Sequence, residues 1–475
     1  MKTNVTLPLG SIALIDKIQS DYGLVSGVFG NAGGRSRNFV GIVKLLISNR
    51  MDDAVSVHQI LPMSSTERLE LLGIRGGVSE RSIYRVLQKI GREFPLLLKR
   101  YQSIIKEYGL VDSTQISDFS SSYFEGDNAE FADHGYSRDH RPDKKQVTWG
   151  ISIGINGIPT ALTIQKGNVQ DKTHMREMQK ICTKILDKGS LLMFDCGANT
   201  PKVKDTIVKN GLNYLTLKPK KVGTYKNLIK DFDKECRKFE CNGTEYLYTK
   251  KPSKRPGEFY YIYFSKKLCE DQLQKKESKF KKRMAKGDEL IKKAKRHKAV
   301  QMFPSKEGWI GLYPEIQHSL VDIRNPYITN IEGFFVLESS LDIEPQKILE
   351  LYKQRDVAEK FIRAMKEGGE LRPIRHWNKY AIIGALFICF LATAMINLTL
   401  NSCRNPDVKN FKLLKKYLGN LTLSVIYPQN AFRIRVVSNL SPPIMAVLGD
   451  FPLKYDNTGI KTSICAGKNR FGELG

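Results

Sequence analysis

The sequence contains no CxxC pair, although it has eight cysteines. Structural zinc sites take closely spaced Cys and His ligands, so a zinc finger or zinc ribbon is not expected. Cys236 and Cys241 supply at most half of such a site, since no second Cys/His pair is spaced to complete it. Scattered reduced thiols and the lack of a signal peptide after Met1 predict a cytoplasmic protein.

Acidic residues are also scarce. The chain has 49 Asp and Glu against 76 Lys and Arg, which gives a net charge of +27 over 475 residues. This excess favours a polyanionic partner, with nucleic acid first and an anionic membrane surface second. A hydrophobic content of 41% is ample for a core, and the length predicts two to four domains.

Long hydrophobic runs are missing except at residues 381–400, AIIGALFICFLATAMINLTL. That segment is nearly long enough to cross a bilayer. Thr393, Asn397 and Thr399 make its second half more polar, and no other segment resembles it. We therefore predict a buried core helix and no membrane partner.

Residues 1–105 are predicted to form a helical N-terminal region. Ser64 with Glu67 resembles a capping box, Ser79 precedes the helical segment ERSIYRVLQKIG, and glycines lie between the two. The second helix would place four cations on outer faces: Arg81, Arg85, Lys89 and Arg92. A DNA-binding helix-turn-helix and a plain helical hairpin both fit this pattern, and the overall charge favours DNA.

Strands alternate with helices over residues 106–218. The predicted order is a strand YGLVD, a hairpin of VTWGISIGI and IPTALTI around Asn156 and Gly157, a helix, the strand SLLMFD, a helix and the strand LNYLTLK. This βββαβαβ order predicts a mixed α/β sheet.

Residues 219–330 interrupt that regularity. They contain strand-like fragments and a run from Lys266 to Lys298 with fourteen Lys and Arg against five Asp and Glu. The run predicts a basic helix, which is either solvated surface or a phosphate contact. Over residues 331–400 a strand is followed by one long helix that begins near Glu344 and then by the apolar helix. Residues 401–475 are assigned to dimerisation or DNA contact.

Three acids stand out by position. Asp112 and Asp195 are both predicted to end buried strands, where ligands collect in α/β sheets. Two neighbouring carboxylates repel each other unless a cation lies between them, and oxygen-only ligands favour Mg²⁺ or Mn²⁺ over zinc. A turn or a helix cap is the alternative use of either Asp.

Glu359 is the third candidate acid. On a continuous helix, Tyr352, Arg355, Glu359 and Lys366 would share one face, and Arg363 would lie one turn beyond the Glu. By spacing alone, an ordinary salt-bridged surface helix is the favoured interpretation.

The same four residues reproduce the Y-(2)-R-(3)-E-(6)-K signature of transposases of the "insertion sequence four" group. VDST resembles the first-acid motif of that group, and FDCGANT is similar to its second-acid motif. The segment GYSRDHRPDKKQVTWGISIGINGIPTALTIQKGNVQD also resembles the group. The likeness covers about residues 108–218 and 330–400.

This resemblance implies a DDE transposase with an RNase H-like α/β core: a mixed sheet flanked by helices, interrupted by a mainly β insertion at residues 219–330, with a helical N-terminal DNA-binding region. It implies Asp112, Asp195 and Glu359 as catalytic carboxylates that hold two Mg²⁺ or Mn²⁺ ions. It further implies a set of DNA contacts: Tyr352, Arg355, Arg363, Lys366 and, on the last core strand, Lys218. Trp309 is a candidate for stacking a flipped base, and a buried structural Trp is the favoured alternative.

The implied activity is cut-and-paste transposition in a prokaryotic cytoplasm, in association with the nucleoid. The protein would bind double-stranded DNA at terminal inverted repeats and at a target, cleave through a hairpin intermediate, and act as a homodimer. Two alternatives stay open: a nuclease of the same fold without strand transfer, and a DNA-binding protein descended from a transposase.

Overall fold

The computed structural model describes residues 3–30, 38–296, 325, 327–403, 405–408, 410–429 and 432–458, without the side chains of 287–296. The chain divides into two compact units. The first comprises Met1–Met193, Thr200–Leu212 and Gln354–Gly475; the second comprises Phe194–Asn199 and Asn213–Lys353.

The N-terminal part of the first unit is helical, as predicted. Its described residues form the strand β1 (Val5–Pro8) and six helices: α1 (Gly10–Tyr22), α2 (Leu24–Phe29), α3 (Phe39–Met51), α4 (Val57–Ile60), α5 (Thr66–Leu71) and α6 (Glu80–Glu107). The N-cap of α5 is Ser65, whose Oγ accepts from Arg68 N at 3.1 Å, and not the predicted Ser64. Helix α6 continues past the predicted boundary at residue 105.

The predicted helix, turn and helix are present in α5 and α6, with Gly73 and Gly76 at positive φ between them. Of the four cations on α6, Arg81, Arg85 and Arg92 are exposed, and Lys89 is half-buried. Lys89 lies 5.6 Å over the ring of Phe39, and Arg92 lies 5.3 Å over a Tyr ring. Two of the four cations therefore also contact aromatic rings of the protein, and DNA contact by this face stays a prediction.

The sheet of the first unit follows. Its strands are β2 (Thr114–Tyr123), β3 (Gln146–Gly154), β4 (Pro159–Lys166) and β5 (Leu191–Phe194), in the order β4-β3-β2-β5. Pairing is antiparallel from β2 to β4. Leu191 N donates to Ser113 O at 2.8 Å, so β5 starts beside the start of β2 and runs in the same direction. With α7 (Asp171–Ile185) and α8 (Pro201–Lys209), the predicted mixed α/β order is confirmed.

The second unit has its own antiparallel strands. They are β6 (Asn213–Leu217), β7 (Arg237–Cys241), β8 (Thr244–Pro252), β9 (Phe259–Phe264) and β10 (Phe334–Ser339), in the order β6-β10-β9-β8-β7. Its helices are α9 (Val222–Ile229), α10 (Phe232–Glu235), α11 (Lys266–Arg296) and α12 (Pro345–Lys353). The basic helix is confirmed as α11, so the insertion carries a long helix as well as strands.

The last part of the chain returns to the first unit. It contains α13 (Asp356–Arg363), a π-helical turn (Ala364–Gly368), α14 (Lys379–Ser402), α15 (Phe411–Asn420), β11 (Thr422–Ile426), β12 (Ile434–Ser438) and α16 (Pro442–Leu448). Strand β11 pairs with β1 on one side and β12 on the other. The N-terminal and C-terminal regions of the described chain therefore share one small sheet.

Helix α14 is the core helix predicted at residues 381–400. It is long and apolar enough to cross a membrane, and 94% of its most apolar window is buried inside the protein. Its crossing with α6 depends on two glycines: a Cβ on Gly384 would lie 2.1 Å from Leu87 O, and one on Gly91 would lie 1.9 Å from Tyr380 O. Rings of Tyr101 and Phe390, 5.5 Å apart, extend the contact.

A buried histidine lies under the sheet on the side of α7. His174 is fully buried between two threonines: its Nε2 lies 2.8 Å from Thr148 Oγ1 and its Nδ1 lies 3.0 Å from Thr163 Oγ1. Thr148 Oγ1 donates to Lys166 O at 2.8 Å, so it accepts from the ring, and the proton is on Nε2. Burial lowers the pKa of His174 to about 4.

This geometry predicts a loss of stability in weak acid. The folded-state pKa lies below the unfolded value of about 6.5, so the unfolded chain binds a proton first as the pH falls. The free energy of unfolding should drop by about 3 kcal/mol for His174 between pH 6.5 and 4, and not further below pH 4. Urea unfolding at several pH values would measure it.

His174→Gln is the matched variant for that measurement, because Gln cannot titrate. It should be less stable than wild type at pH 7 and should show a shallower decline toward pH 4. His376, whose pKa burial also lowers to about 4, should leave a residual decline in the variant. An unchanged slope in His174→Gln would contradict the assignment.

Candidate active site and DNA interface

Asp118 lies in the middle of β2, paired across the ladder with Ile151 of β3. The ring of the next residue, Phe119, lies 5.5 Å from the ring of His174 in α7. Because successive side chains of a strand point to opposite faces, Asp118 points to the face away from α7. Its Oδ1 accepts from Phe119 N at 2.9 Å, and the side chain is half-buried.

Asp112, the predicted first acid, does not end a strand. Leu110 to Asp112 is irregular and β2 begins only at Thr114. Asp112 Oδ1 accepts from Thr114 N at 2.7 Å, which is the turn geometry named as the alternative. Ser113 O, next in the chain, accepts from Leu191 N, so Asp112 lies beside the start of β5. That position is about 20 Å along the strand from Asp118. The strand prediction for YGLVD is wrong.

Glu359 lies on α13, which packs against β2 and β3. Ala358 and Phe361 are the buried residues of α13, and the Phe361 ring lies 6.1 Å from that of Phe390 in α14. Glu359 is exposed, and within the described part of the chain its carboxylate has no ion-pair partner. The first unit therefore places an open carboxylate on the helix that covers the strand of Asp118.

The long helix predicted from Glu344 is broken. Helix α12 ends at Lys353, α13 begins at Asp356, and the chain after Arg363 is π-helical to Gly368. The assumption of one continuous helical face for the signature residues is therefore wrong. Tyr352 belongs to the second unit, and Arg355 immediately precedes α13 in the first. Arg363, at the end of α13, is exposed.

Lys366 is not on a solvent-facing helix surface. Its Nζ donates to Asp139 Oδ1 at 2.7 Å, and the two side chains are 8% and 1% exposed. Arg372 donates to the same oxygen at 2.9 Å. Burial lowers the pKa of Lys366 even though the Asp139 carboxylate favours the charged form. In this structure Lys366 is an internal ion-pair partner and not an available phosphate contact.

The second unit holds two other predicted residues. Asp195 follows β5 and caps the short helical turn Cys196–Ala198, its Oδ1 accepting from Cys196 N at 2.7 Å. Lys218 donates to Glu338 Oε1 at 2.6 Å and lies 4.6 Å over the ring of Tyr260. Its ammonium is thus engaged within the unit. Burial alone would lower the pKa of Lys218, but the hydrogen bond and the charge of Glu338 outweigh burial and raise that pKa. Trp309 lies outside the described residues.

The carboxylate oxygens of the first unit are the type of ligand that the predicted Mg²⁺ or Mn²⁺ would take. Asp118 and Glu359 are carboxylates, the hard ligands that Mg²⁺ and Mn²⁺ prefer. Among the residues that the structure describes, no group of three His, Cys, Asp or Glu side chains lies close enough to hold a metal ion. A complete ligand set is therefore not assembled in this structure.

Sequence reasoning missed Asp118. Serines fill the strand TQISDFSSSY, so it lacks the apolar run by which the other core strands were recognised. The usable signal was the alternation of Ile116 and Asp118 on one face with Ser117 and Phe119 on the other, over a length that the paired strand β3 matches.

Comparison with known proteins bears on the whole core. A family profile described as "Transposase DDE domain" matches residues 106–395, which is more than half of the chain. A solved structure, the cryo-EM structure of a piggyBac transposase synaptic complex with hairpin DNA, has a TM-score of 0.41 and 10% sequence identity, covering 88% of this chain and 82% of that one. No curated protein matches the sequence. The chain belongs to the family of proteins that carry a transposase DDE domain.

Proposed function

We propose that this protein is a DNA transposase that cleaves phosphodiester bonds with the help of divalent metal ions and joins the freed end to a new site. The match to the DDE domain over residues 106–395 carries the proposal. The acids that we assign are Asp118, Asp195 and Glu359. Asp118 replaces Asp112 because it lies on the strand that the Glu359 helix covers.

The chain's own residues have defined tasks in this proposal. Asp118 is held by a rigid central strand, and Glu359 by a helix anchored through Phe361. Such placement on regular elements keeps ligand oxygens oriented. Mg²⁺ or Mn²⁺, when bound, would activate water and stabilise the attacking and leaving oxygens of an in-line displacement. Asp195 is assigned from its motif, FDCGANT.

The finer features are proposals of the same kind. Membership in the insertion sequence four group, binding of terminal inverted repeats, a hairpin intermediate and action as a homodimer rest on the motif resemblance. Arg355, Arg363 and Tyr352 are proposed to contact DNA near the cleaved bond. The net charge of +27 supports a nucleic-acid partner.

Cleavage of the DNA that flanks the gene tests this function. The purified chain would be incubated with a labelled duplex containing that flanking DNA, with Mg²⁺ or with EDTA. We expect Mg²⁺-dependent cuts at the ends of an inverted repeat, and joining of the cut end to a supercoiled plasmid. Glu359→Gln should do neither.

The other outcomes are equally clear. Cutting without joining would identify a nuclease of the same fold. Tight DNA binding with no cutting under any divalent metal would identify a DNA-binding protein and contradict the proposal.

A further inference from the structure

We propose that a groove between α13, the end of α14 and α15 binds the phosphate backbone of duplex DNA, beside the helix that carries Glu359. We call it the α13/α15 groove. The inference rests on the proposed function and adds a DNA surface that the signature residues do not include. All of its residues belong to the first unit.

The groove is a cavity of about 980 Å³ that is open to solvent. Lys360 and Arg363 line it from α13, Asn397 and Asn401 from α14, and Lys412 and Lys415 from α15. A neighbouring cavity of about 690 Å³ shares Lys412 and Lys415 with it and adds Lys416. The two cavities thus form one surface along α15.

The cations of this surface fall into two classes. Lys415 donates to Gly368 O at 3.1 Å and lies 3.7 Å from Asp53, and Lys360 pairs with an Asp of its own helix. Arg363, Lys412 and Lys416 are exposed, and none of them has a carboxylate partner within the described part of the chain. These three charges are available to a ligand.

Two acids also line the groove, and neither cancels that excess. Glu367 accepts from Arg372 at 3.1 Å, so its charge is already balanced. Asp53 is fully exposed beside Lys415. Three exposed cations together with the exposed carboxamide of Asn401 are suited to phosphate and sugar oxygens, which receive most protein–DNA hydrogen bonds. Asn397 Nδ2 already donates to Gly157 O at 2.7 Å.

Close packing holds the walls of the groove in place. A Cβ on Gly368 would lie 2.3 Å from the ring of Phe411, so only glycine lets the π-helical turn approach α15 this closely. The turn follows α13 directly, which fixes α15 beside the helix of Glu359. DNA held at α15 would therefore lie beside α13, the helix that carries Glu359.

The test compares two charge reversals of equal size. Lys412→Glu/Lys416→Glu alters two exposed lysines one turn apart on α15. Lys180→Glu/Lys184→Glu alters two exposed lysines one turn apart on α7 that line neither cavity. Binding to a duplex of the gene-flanking DNA would be measured in EDTA over a range of salt concentrations. Thermal unfolding checks that both variants fold.

For the α15 variant we expect the slope of log Kobs against log salt to be less negative by about 1.8, because each lost phosphate contact removes about 0.9 from its magnitude. The α7 variant should keep the wild-type slope within about 0.5. Equal changes in both variants would show a bulk charge effect and overturn the proposal, as would no change in either. Wild-type DNA binding without cleavage would contradict the proposed function while leaving the groove intact, and absence of wild-type binding would overturn both.

Discussion

Asp118→Asn is expected to reduce Mg²⁺-dependent DNA cleavage at least about a hundredfold, which corresponds to about 2.7 kcal/mol in the barrier. The substitution keeps the size of the side chain and its acceptor for Phe119 N, and removes only the negative charge. A metal-binding carboxylate depends on that charge, whereas a structural residue of a strand does not. Single-turnover cleavage rates of the gene-flanking duplex would measure the loss.

Asp112→Asn is the matched control. Its Oδ1 would still accept from Thr114 N and keep the turn, so cleavage should stay within about twofold of wild type. Both variants should unfold at temperatures close to that of wild type. The reverse pattern, with Asp112→Asn inactive and Asp118→Asn active, would restore the sequence-based assignment.

The second large effect concerns Lys366 and Asp139. Breaking a buried ion pair by removing one partner costs about 3 to 5 kcal/mol, because the other charge is left buried. Lys366→Met should therefore lower the free energy of unfolding by about 3 kcal/mol. The cost is not larger because Arg372 still donates to Asp139. Urea unfolding would measure it.

The double variant Lys366→Met/Asp139→Asn separates the internal role from a DNA contact. Its destabilisation should be smaller than the sum of the two single variants by at least about 1 kcal/mol, since the residues are in direct contact. The salt slope of DNA binding should be unchanged by Lys366→Met. If the slope became less negative by about 0.9, and if the losses of unfolding free energy in the two single variants simply added, Lys366 would be a phosphate contact.

Local signals explain what the sequence could predict. The hairpin of β3 and β4 follows from apolar strands around Asn156 and Gly157, and Gly157 has the φ of +78° that such a turn needs. The core helix α14 and the basic helix α11 are likewise long segments with one dominant property. The sequence was therefore sufficient to predict the mixed α/β fold.

The remaining features depend on contacts distant in the chain. Helical spacing suggested that Lys366 shared a face with Glu359, but its charge is neutralised by Asp139, 227 residues away. Periodicity also cannot reveal that the helix stops at Lys353 and resumes at Asp356. Asp118 escapes the sequence analysis because its strand is rich in serine and lacks the apolar run of the other core strands.

Cleavage of the polypeptide by bound Fe²⁺ tests the central claim most directly, because it locates the metal without relying on activity. Fe²⁺ in place of Mg²⁺, with ascorbate and peroxide, would cut the chain next to the ion, and the fragments would be mapped by mass spectrometry. The account predicts cuts near Asp118, Asp195 and Glu359 that excess Mg²⁺ suppresses and Glu359→Gln weakens. Cuts near Asp112 in place of Asp118, or cuts that Mg²⁺ does not suppress, would contradict it.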